Sequence, residues 1–378
     1  MPNKPEKPAA VVMDRVLELA ARGMVSTHPN PRVGCVIIDT MGRAVEGYHQ
    51  FAGGDHAEIA AIKSAQQKNI NLEGAIAYIS LEPCSHEGKT GPCCDALIKA
   101  GIKKVVVATE DPNPLVKGQG LERLRNAGIE VHCGVLADKA RALNLGFFKR
   151  MEQGLPYTRL KLAMSIDGKI ALANGQSQWI SGEASRQDVQ SLRAQASAIL
   201  TGIGTASQDN PRLTVRDLSA EREYPWGFGL RQPKVALVDK LGQLDPSSHL
   251  AHRGKDLLWF VAEGQATDSK IQADKIELPL DDDRFPLRDV LMKLADKEIN
   301  DLLVEAGPAL AGALLEEDLV DELIVYLAPI ILGNEAQSLV NLSALNDLQQ
   351  AKRFELRSSE KIEDDLKLVF VRKRGKND

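Results

Sequence analysis

The chain has 378 residues and a formal net charge of −5, and 43% of its residues are hydrophobic and 26% charged. These values are those of an ordinary globular protein, and the length allows about two domains. The sequence has no run of about 18 apolar residues, so no membrane-spanning helix is predicted. Charges of both signs are interspersed without a basic stripe, which argues against nucleic acid as the main partner. Residues 1–10 carry prolines and charges but no apolar run, so we expect a flexible tail rather than a secretory signal.

The cysteine content bears on the cellular compartment. An odd number of cysteines, without a secretory signal, indicates a reducing environment in which thiols remain thiols. We therefore expect a cytoplasmic protein. The five cysteines are Cys35, Cys84, Cys93, Cys94 and Cys133.

The first half of the chain alternates between strand-like and helix-like segments. Apolar residues at helical spacing predict a helix over 11–21. Further helices are predicted at 56–68, 93–100 and 118–127, and strands at 32–39, 75–81, 105–109 and 129–133. Strands that alternate with helices predict a three-layer α/β domain, which spans residues 11–150.

The second half, residues 156–374, follows a plausible linker at Gly154–Pro156 and is again α/β. An Asp-Gly turn at Asp167-Gly168 is compatible with a hairpin. Ser219–Arg231 is rich in glycine, proline and aromatic residues and is predicted to be a surface loop. Strands are predicted at 157–165, 198–202, 234–238, 257–261, 302–305, 323–332 and 366–372, and helices at 185–198, 285–294 and 309–317.

The most informative residues of the first half are His56, Cys84 and Cys93. One imidazole and two thiolates supply three zinc ligands and leave a fourth position for water, which is typical of a catalytic zinc site. Zinc acidifies that water, so that hydroxide can attack an electron-poor ring carbon bearing an amine. A carboxylate must then carry the proton to the ring and to the departing ammonia. Glu58 is the natural candidate for this catalytic role.

Local structure explains how these residues can converge. Positions i and i+2 of a regular helix do not share a face. His56 and Glu58 can reach one point if His56 lies at the helix entry, before the backbone becomes helical. Cys94 competes with Cys93 for the third ligand position, and we favour Cys93, with Cys94 turned into the core. Cys35 and Cys133, each on a predicted strand, are expected to be core residues too, and a purely structural zinc site remains the alternative.

Several segments carry a resemblance to one enzyme family. His56-Ala-Glu58, the Glu82–Cys93 segment with eight residues between its outer cysteines, Thr27–Gly34 and Asp111–Pro114 resemble the bifunctional deaminase/reductase of riboflavin biosynthesis. The resemblance implies a cytidine-deaminase-like domain followed by a dihydrofolate-reductase-like domain. It implies deamination of 2,5-diamino-6-ribosylamino-4(3H)-pyrimidinone 5′-phosphate, and then reduction of 5-amino-6-(5-phosphoribosylamino)uracil to its ribitylamino product.

The same resemblance assigns residues of the second half. The strand–Gly turn–helix at 304–313 is suited to a phosphate, but it lacks the spacing of a Rossmann fingerprint. The resemblance implies NADPH as the reductant, and arginine forks suit a substrate phosphate. The implied NADPH contacts are Ala163, Trp179, Thr205, Asp209, Gly307, Pro308, Ala309, Leu310, Ala311, Gly312 and Ala313. The implied substrate contacts are Ser177, Arg193, Leu213, Arg216 and Glu305.

Two features depart from the family pattern, and one further residue lacks a firm role. Lys240 stands where a small polar residue is expected near the cofactor, and Ser219–Arg231 has no clear counterpart. Lys161 could orient the sugar as it opens. A nucleic-acid base deaminase with an accessory RNA-binding domain is the alternative function, although the acidic net charge weighs against it. We expect a small-molecule substrate and no nucleic-acid or membrane partner, and a homo-oligomer remains open.

Overall fold

The computed structural model describes residues 7–85, 91–114, 116–216 and 231–373. The chain divides into two compact units, Met1–Gly154 and Leu155–Asp378, and the division falls inside the predicted linker. Most of the predicted Ser219–Arg231 loop lies outside the described residues. None of the described helices is both long and apolar enough to cross a membrane.

The first unit contains five strands and six helices among its described residues. The strands are β1 (Gly34–Ile38), β2 (Ala44–Tyr48), β3 (Ile76–Ile79), β4 (Lys104–Val107) and β5 (Glu130–Cys133). The helices are α1 (Lys7–Ala21), α2 (Ala57–Gln67), α3 (Cys93–Lys99), α4 (Gln119–Asn126), α5 (Ala137–Leu143) and α6 (Leu145–Gln153).

These strands form one sheet in the order β2-β1-β3-β4-β5, in which β1 is antiparallel to both its neighbours and β3, β4 and β5 are parallel. Alternate side chains of the sheet enter two separate cores. Ile37 and Val105 pack with α2, α3 and α4, whereas Val36 and Val106 pack with α1 and α5. Helices therefore cover both faces, and the predicted three-layer α/β architecture is confirmed.

The second unit is larger and has eleven strands among its described residues, nine of which form one sheet. Its strands are β6 (Tyr157–Ser165), β7 (Lys169–Ala171), β8 (Ala198–Gly202), β9 (Lys234–Val238), β10 (Leu257–Ala262), β11 (Asp274–Leu278), β12 (Asp301–Val304), β13 (Glu322–Ala328), β14 (Gln337–Ser338), β15 (Phe354–Ile362) and β16 (Asp365–Arg372). Its α-helices are α7 (Glu183–Gln195), α8 (Ile203–Asp209), α9 (Leu287–Asp296) and α10 (Pro308–Glu316). Short 3₁₀ helices cover Ala251–Asp256 and Leu348–Gln350.

The large sheet has the order β11-β10-β9-β8-β12-β6-β13-β16-β15. Its strands are parallel from β11 to β13, and β16 and β15 close it as an antiparallel pair. Leu200 and Phe260 pack with α9 and α10 on one face, and Ile199 and Trp259 pack on the other. The α/β class of this half is confirmed, with parallel strands whose carboxyl ends share one edge.

The structure differs from the sequence expectations at several places. Helix α1 begins at Lys7, so residues 7–10 of the expected tail are helical, because Pro8 is tolerated in a first turn and two alanines follow it. The turn at Asp167 does not close a hairpin, since β7 pairs with β14. The strand predicted at 323–332 ends at Ala328. The mostly exposed β15 was not predicted, because it has few buried apolar positions to set a pattern.

Candidate functional site

The first unit brings His56, Cys84 and Cys93 together. His56 is the residue before α2 and has extended backbone angles, φ −68° and ψ 159°, as predicted for a helix entry. Cys84 follows β3, and Cys93 is the first residue of α3. One ligand atom from each residue lies within 4.8 Å of the others. His56 Nδ1 is 3.2 Å from Cys93 Sγ and 3.6 Å from Cys84 Sγ.

These distances fit a zinc ion. Bond lengths of ~2.0 Å to nitrogen and ~2.3 Å to sulfur separate the N and S ligands of a tetrahedral ion by about 3.5 Å. Among the described residues, no fourth His, Cys, Asp or Glu joins the group. Within the part of the chain that the structure describes, the donor set is thus one nitrogen and two sulfurs, the three-ligand set of an open zinc site.

The two thiols respond oppositely to their closeness. Hydrogen bonding with Cys93, whose backbone N–H also lies 3.3 Å from Cys84 Sγ, lowers the pKa of Cys84. The pKa of Cys93 is raised, first by the same hydrogen bond and then by burial. One thiolate thus forms easily while a second is opposed by its charge. Only a cation at their centre would favour both thiolates.

Glu58 lies in the first turn of α2, with only 3% of its surface exposed. Burial raises the pKa of its carboxyl to about 7. A carboxyl with a pKa near neutrality can both accept and donate a proton at physiological pH. A side-chain hydrogen bond with Cys93 places this carboxyl beside the cluster, where it can transfer protons.

The other cysteines lie outside the cluster. Cys94 Sγ turns away and donates to the carbonyl oxygens of Pro83 and Gly120, at 3.3 and 3.5 Å. Cys35 is fully buried on β1, as expected. Cys133 was expected in the core, but it is exposed, because β5 is an edge strand and Cys133 is its last residue.

Sequence reasoning missed a buried histidine, His49, beside the cluster. His49 is 3% exposed, and its ring meets the ring of His56 edge-on with centroids 5.5 Å apart. His49 Nδ1 donates to the carbonyl of Asp55 at 2.9 Å, so its Nε2 accepts from Asn30 Nδ2 at 3.1 Å. Burial lowers the pKa of His49 and keeps this ring neutral. The only signal in the sequence was Asn30 within the Thr27–Gly34 segment.

In the second unit, Arg193 and Glu305 form an ion pair whose side chains are 12% and 11% exposed. Arg193 Nε and Nη2 donate to the two Glu305 carboxylate oxygens at 2.6 and 2.9 Å, and Nη1 donates to the Thr214 carbonyl at 3.1 Å. The guanidinium fork suggested for a substrate phosphate is thus engaged by a carboxylate. Lys161 lies close enough for its charge to interact with both members, and burial lowers its pKa.

The predicted phosphate-binding turn lies at the start of α10. Gly307 is the N-cap of this helix, and its N–H donates to Thr205 Oγ1 of α8 at 3.0 Å. Ala311 is fully buried in the core, and a Cβ on Gly312 would overlap the backbone of Asn341. The described contacts therefore bring Gly307 and Thr205 together, and leave Pro308, Ala309, Leu310 and Ala313 less buried than Ala311 and Gly312.

The remaining predicted residues of this unit belong to several different elements. They lie on a strand (Ala163), in the loop before α7 (Ser177 and Trp179), at the end of α8 (Asp209) and in the segment after it (Leu213 and Arg216). The Trp179 side chain is 68% exposed and lies under the Arg186 guanidinium, 4.5 Å from its ring centroid. The Leu213 side chain is 3% exposed and packs into the core. Lys240 forms an ion pair with Asp283 at 2.7 Å.

Comparison with known proteins assigns both units. Residues 7–109 match the cytidine and deoxycytidylate deaminase zinc-binding region, and residues 156–368 match the RibD C-terminal domain. The riboflavin biosynthesis protein RibD of Escherichia coli is 44% identical over 366 residues, which cover 95% of this chain and 98% of that protein. RibD of Haemophilus influenzae is 42% identical over 369 residues, with coverages of 96% and 97%.

Solved structures agree with these sequence matches. The structure of Acinetobacter baumannii RibD has a TM-score of 0.88 and 40% identity and covers 97% of this chain and 99% of that chain. A Thermotoga maritima protein has a TM-score of 0.82 and 32% identity, with coverages of 96% and 98%. That protein is described as a diaminohydroxyphosphoribosylaminopyrimidine deaminase/5-amino-6-(5-phosphoribosylamino)uracil reductase.

These matches run through both units, so the second unit is a reductase domain rather than an accessory RNA-binding domain. The alternative of a nucleic-acid base deaminase is therefore not favoured. The chain belongs to the RibD family, the bifunctional deaminases and reductases of riboflavin biosynthesis.

Proposed function

We propose that the first unit hydrolytically deaminates 2,5-diamino-6-ribosylamino-4(3H)-pyrimidinone 5′-phosphate. The observation that carries this proposal is the convergence of His56, Cys84 and Cys93 beside the buried carboxyl of Glu58. The proposed substrate is that of the Thermotoga maritima relative, a diaminohydroxyphosphoribosylaminopyrimidine deaminase.

In this mechanism, His56 Nδ1 and the thiolates of Cys84 and Cys93 hold zinc. Bound zinc supplies Lewis acidity that makes water a nucleophile near neutral pH. Glu58 accepts one proton of the attacking water and delivers it to the ring nitrogen. It then takes the second proton from the newly formed hydroxyl group and delivers it to the amine, which departs as ammonia as the carbonyl forms. Its raised pKa matches it to both directions of transfer. The neutral pair of His49 and Asn30 forms a fixed polar wall beside the cluster.

We propose that the second unit reduces the ribosyl group of the deaminated product with NADPH. Thr205, Asp209, Ala163, Trp179 and the 307–313 segment are its proposed cofactor contacts. Ser177, Arg193, Leu213, Arg216 and Glu305 are its proposed substrate contacts. The ion pair suggests that Arg193 and Arg216 have different roles. Arg193 orients the Glu305 carboxylate, while Arg216, which is exposed and has no ion pair among the described residues, is available for the phosphate.

A single coupled assay tests both activities. The zinc-loaded chain should release ammonia from the diamino substrate without NADPH, and should oxidise NADPH only after deamination. The Glu58→Gln variant should do neither with the diamino substrate, yet should oxidise NADPH with the deaminated substrate. Ammonia release by this variant at the wild-type rate would exclude the proposed proton transfer.

The proposed cytoplasmic location is supported by the thiol state of the chain. All five cysteines are free in the structure, one of them exposed. Free thiols persist where the environment is reducing. A homo-oligomer stays a prediction. Light scattering of the purified chain would measure the oligomeric state.

A further inference from the structure

Glu82, which the proposed mechanism does not use, has an unusual set of partners. It lies two residues before Cys84 and is 6% exposed. Its Oε1 accepts hydrogen bonds from the backbone N–H groups of Gly120 and Leu121, at 2.9 and 3.3 Å. Its Oε2 accepts from those of Gly118 and Asp111, at 3.0 and 3.1 Å. The ion pairs of the described residues include none with Glu82, so the carboxylate is satisfied by backbone alone.

Helix α4 explains part of this arrangement. Its N-cap is Gly118, with φ +77° and no side chain to accept from the first turn. The N–H groups at the start of a helix need an acceptor, and an anion is favoured there. Glu82 supplies that acceptor from a distant part of the chain, since its Oε1 takes the second and third N–H groups of α4.

Close backbone packing joins the same helix to the metal-binding segment. A Cβ on Gly120 would overlap the Pro83 carbonyl oxygen, so only glycine allows this approach. That carbonyl also accepts from Cys94 Sγ, and the Cys94 N–H donates to the Cys84 carbonyl at 3.2 Å. The backbone of residues 83 and 84 is thus held from two sides, by α3 and α4.

We propose that Glu82 is a positioning residue of the deaminase. Its carboxylate locks the Cys84 segment to the start of α4 and to Asp111, so that the Cys84 thiolate is held at a fixed place in the metal centre. The residue itself touches neither metal nor substrate. This inference rests on the proposed zinc deaminase function of the first unit.

The test uses the full-length zinc-loaded chain and three variants. Glu82→Gln keeps one acceptor oxygen but turns an amide N–H₂ towards backbone donors, and Glu82→Ala removes both acceptors. Glu122→Gln removes the same charge from an exposed position in the first turn of α4 and serves as the control. Zinc release to a chromogenic chelator is measured for each, along with KM and kcat of deamination. Reductase activity on the deaminated substrate reports whether the rest of the chain is intact.

Glu82→Ala should bind zinc about 10- to 100-fold more weakly than wild type, the range seen when groups behind metal ligands are lost, and should therefore release it faster. The zinc release rate of Glu82→Gln should lie between those of wild type and Glu82→Ala. The rate of Glu122→Gln should match that of wild type. If Glu82→Ala does not fold, an accelerated release from Glu82→Gln decides the matter. Wild-type release rates from folded Glu82 variants would overturn the inference alone. A wild-type chain that neither holds zinc nor releases ammonia would instead overturn the proposed function.

Discussion

The candidate sites of the two units differ in how far the protein alone assembles them. In the first unit, three ligand atoms already lie within 4.8 Å of one another, beside a buried carboxyl. In the second, the predicted binding residues are spread over strands, loops and helix starts, and the Trp179 side chain is 68% exposed. A small metal ion demands convergence of side chains, whereas a dinucleotide can be bound along an extended edge.

The charge balance of the two sites differs in the same sense. The described hydrogen bonds give no lysine or arginine partner to Cys84, Cys93 or Glu58. In the second unit, Arg193 directly neutralises Glu305. In these contacts the first site thus has no lysine or arginine, while the second holds two cationic side chains, Arg193 and Lys161, around one carboxylate.

Loss of a zinc ligand should have the largest effect and should strike one unit only. Cys84→Ser replaces a thiolate by a hydroxyl that binds zinc poorly, so zinc content and deamination should fall to background. Reduction of the deaminated substrate should be unchanged. Elemental analysis and separate assays of the two reactions measure this. Full zinc content in Cys84→Ser would show that the cluster does not bind the metal.

Glu58→Gln should separate metal binding from proton transfer within the first unit. The amide has nearly the same shape but cannot carry the proton, so kcat of deamination should fall by about 10²- to 10⁴-fold. Zinc content should stay at the wild-type level. Deamination kinetics alongside elemental analysis provide the check. Joint loss of zinc and activity would mean that Glu58 supports the metal site instead.

The same contrast explains what the sequence could predict. His56, Cys84 and Cys93 lie in short sequence motifs with metal-binding side chains. The extended backbone at His56 follows from its place before a helix. Glu82 accepts from residues 29 to 39 positions away, and no local pattern encodes such contacts. His49 was missed for the same reason, because its partner Asn30 is 19 positions distant.

The fold prediction was correct where burial gives a local sequence pattern and incomplete where exposure depends on the position of a strand in the sheet. The parallel strands β8 and β9 are almost wholly buried, and such continuous apolar runs are visible in a sequence. Cys133 and β15 show the opposite, because the position of a strand in the sheet decides its exposure. The Arg193–Glu305 ion pair likewise depends on tertiary contacts, because its members lie 112 positions apart.

Breaking the Arg193–Glu305 pair should test whether the second site is stabilised by its own charge balance. Glu305→Gln leaves the guanidinium without a counter-charge, and the unfolding free energy of the second unit should fall by about 1.5–3 kcal/mol. Glu355→Gln, on the exposed strand β15, is the matched control and should change little. Denaturant unfolding without ligands measures both. Equal stability of the two variants would show that the pair is not needed for folding.

The smallest predicted effect concerns Gly204, in the first turn of α8 next to Thr205. A Cβ there meets nothing within 4 Å, so Gly204→Ala should stabilise the unit by about 0.5–1 kcal/mol through helix propensity. If NADPH approaches this backbone closely, KM for NADPH should nevertheless rise. Gly312→Ala is the control of opposite sign, because its methyl group would overlap the Asn341 backbone and destabilise the unit. A stabilised Gly204→Ala variant with unchanged KM would place the cofactor away from α8, because open space at a glycine matters to binding only where a ligand fills it.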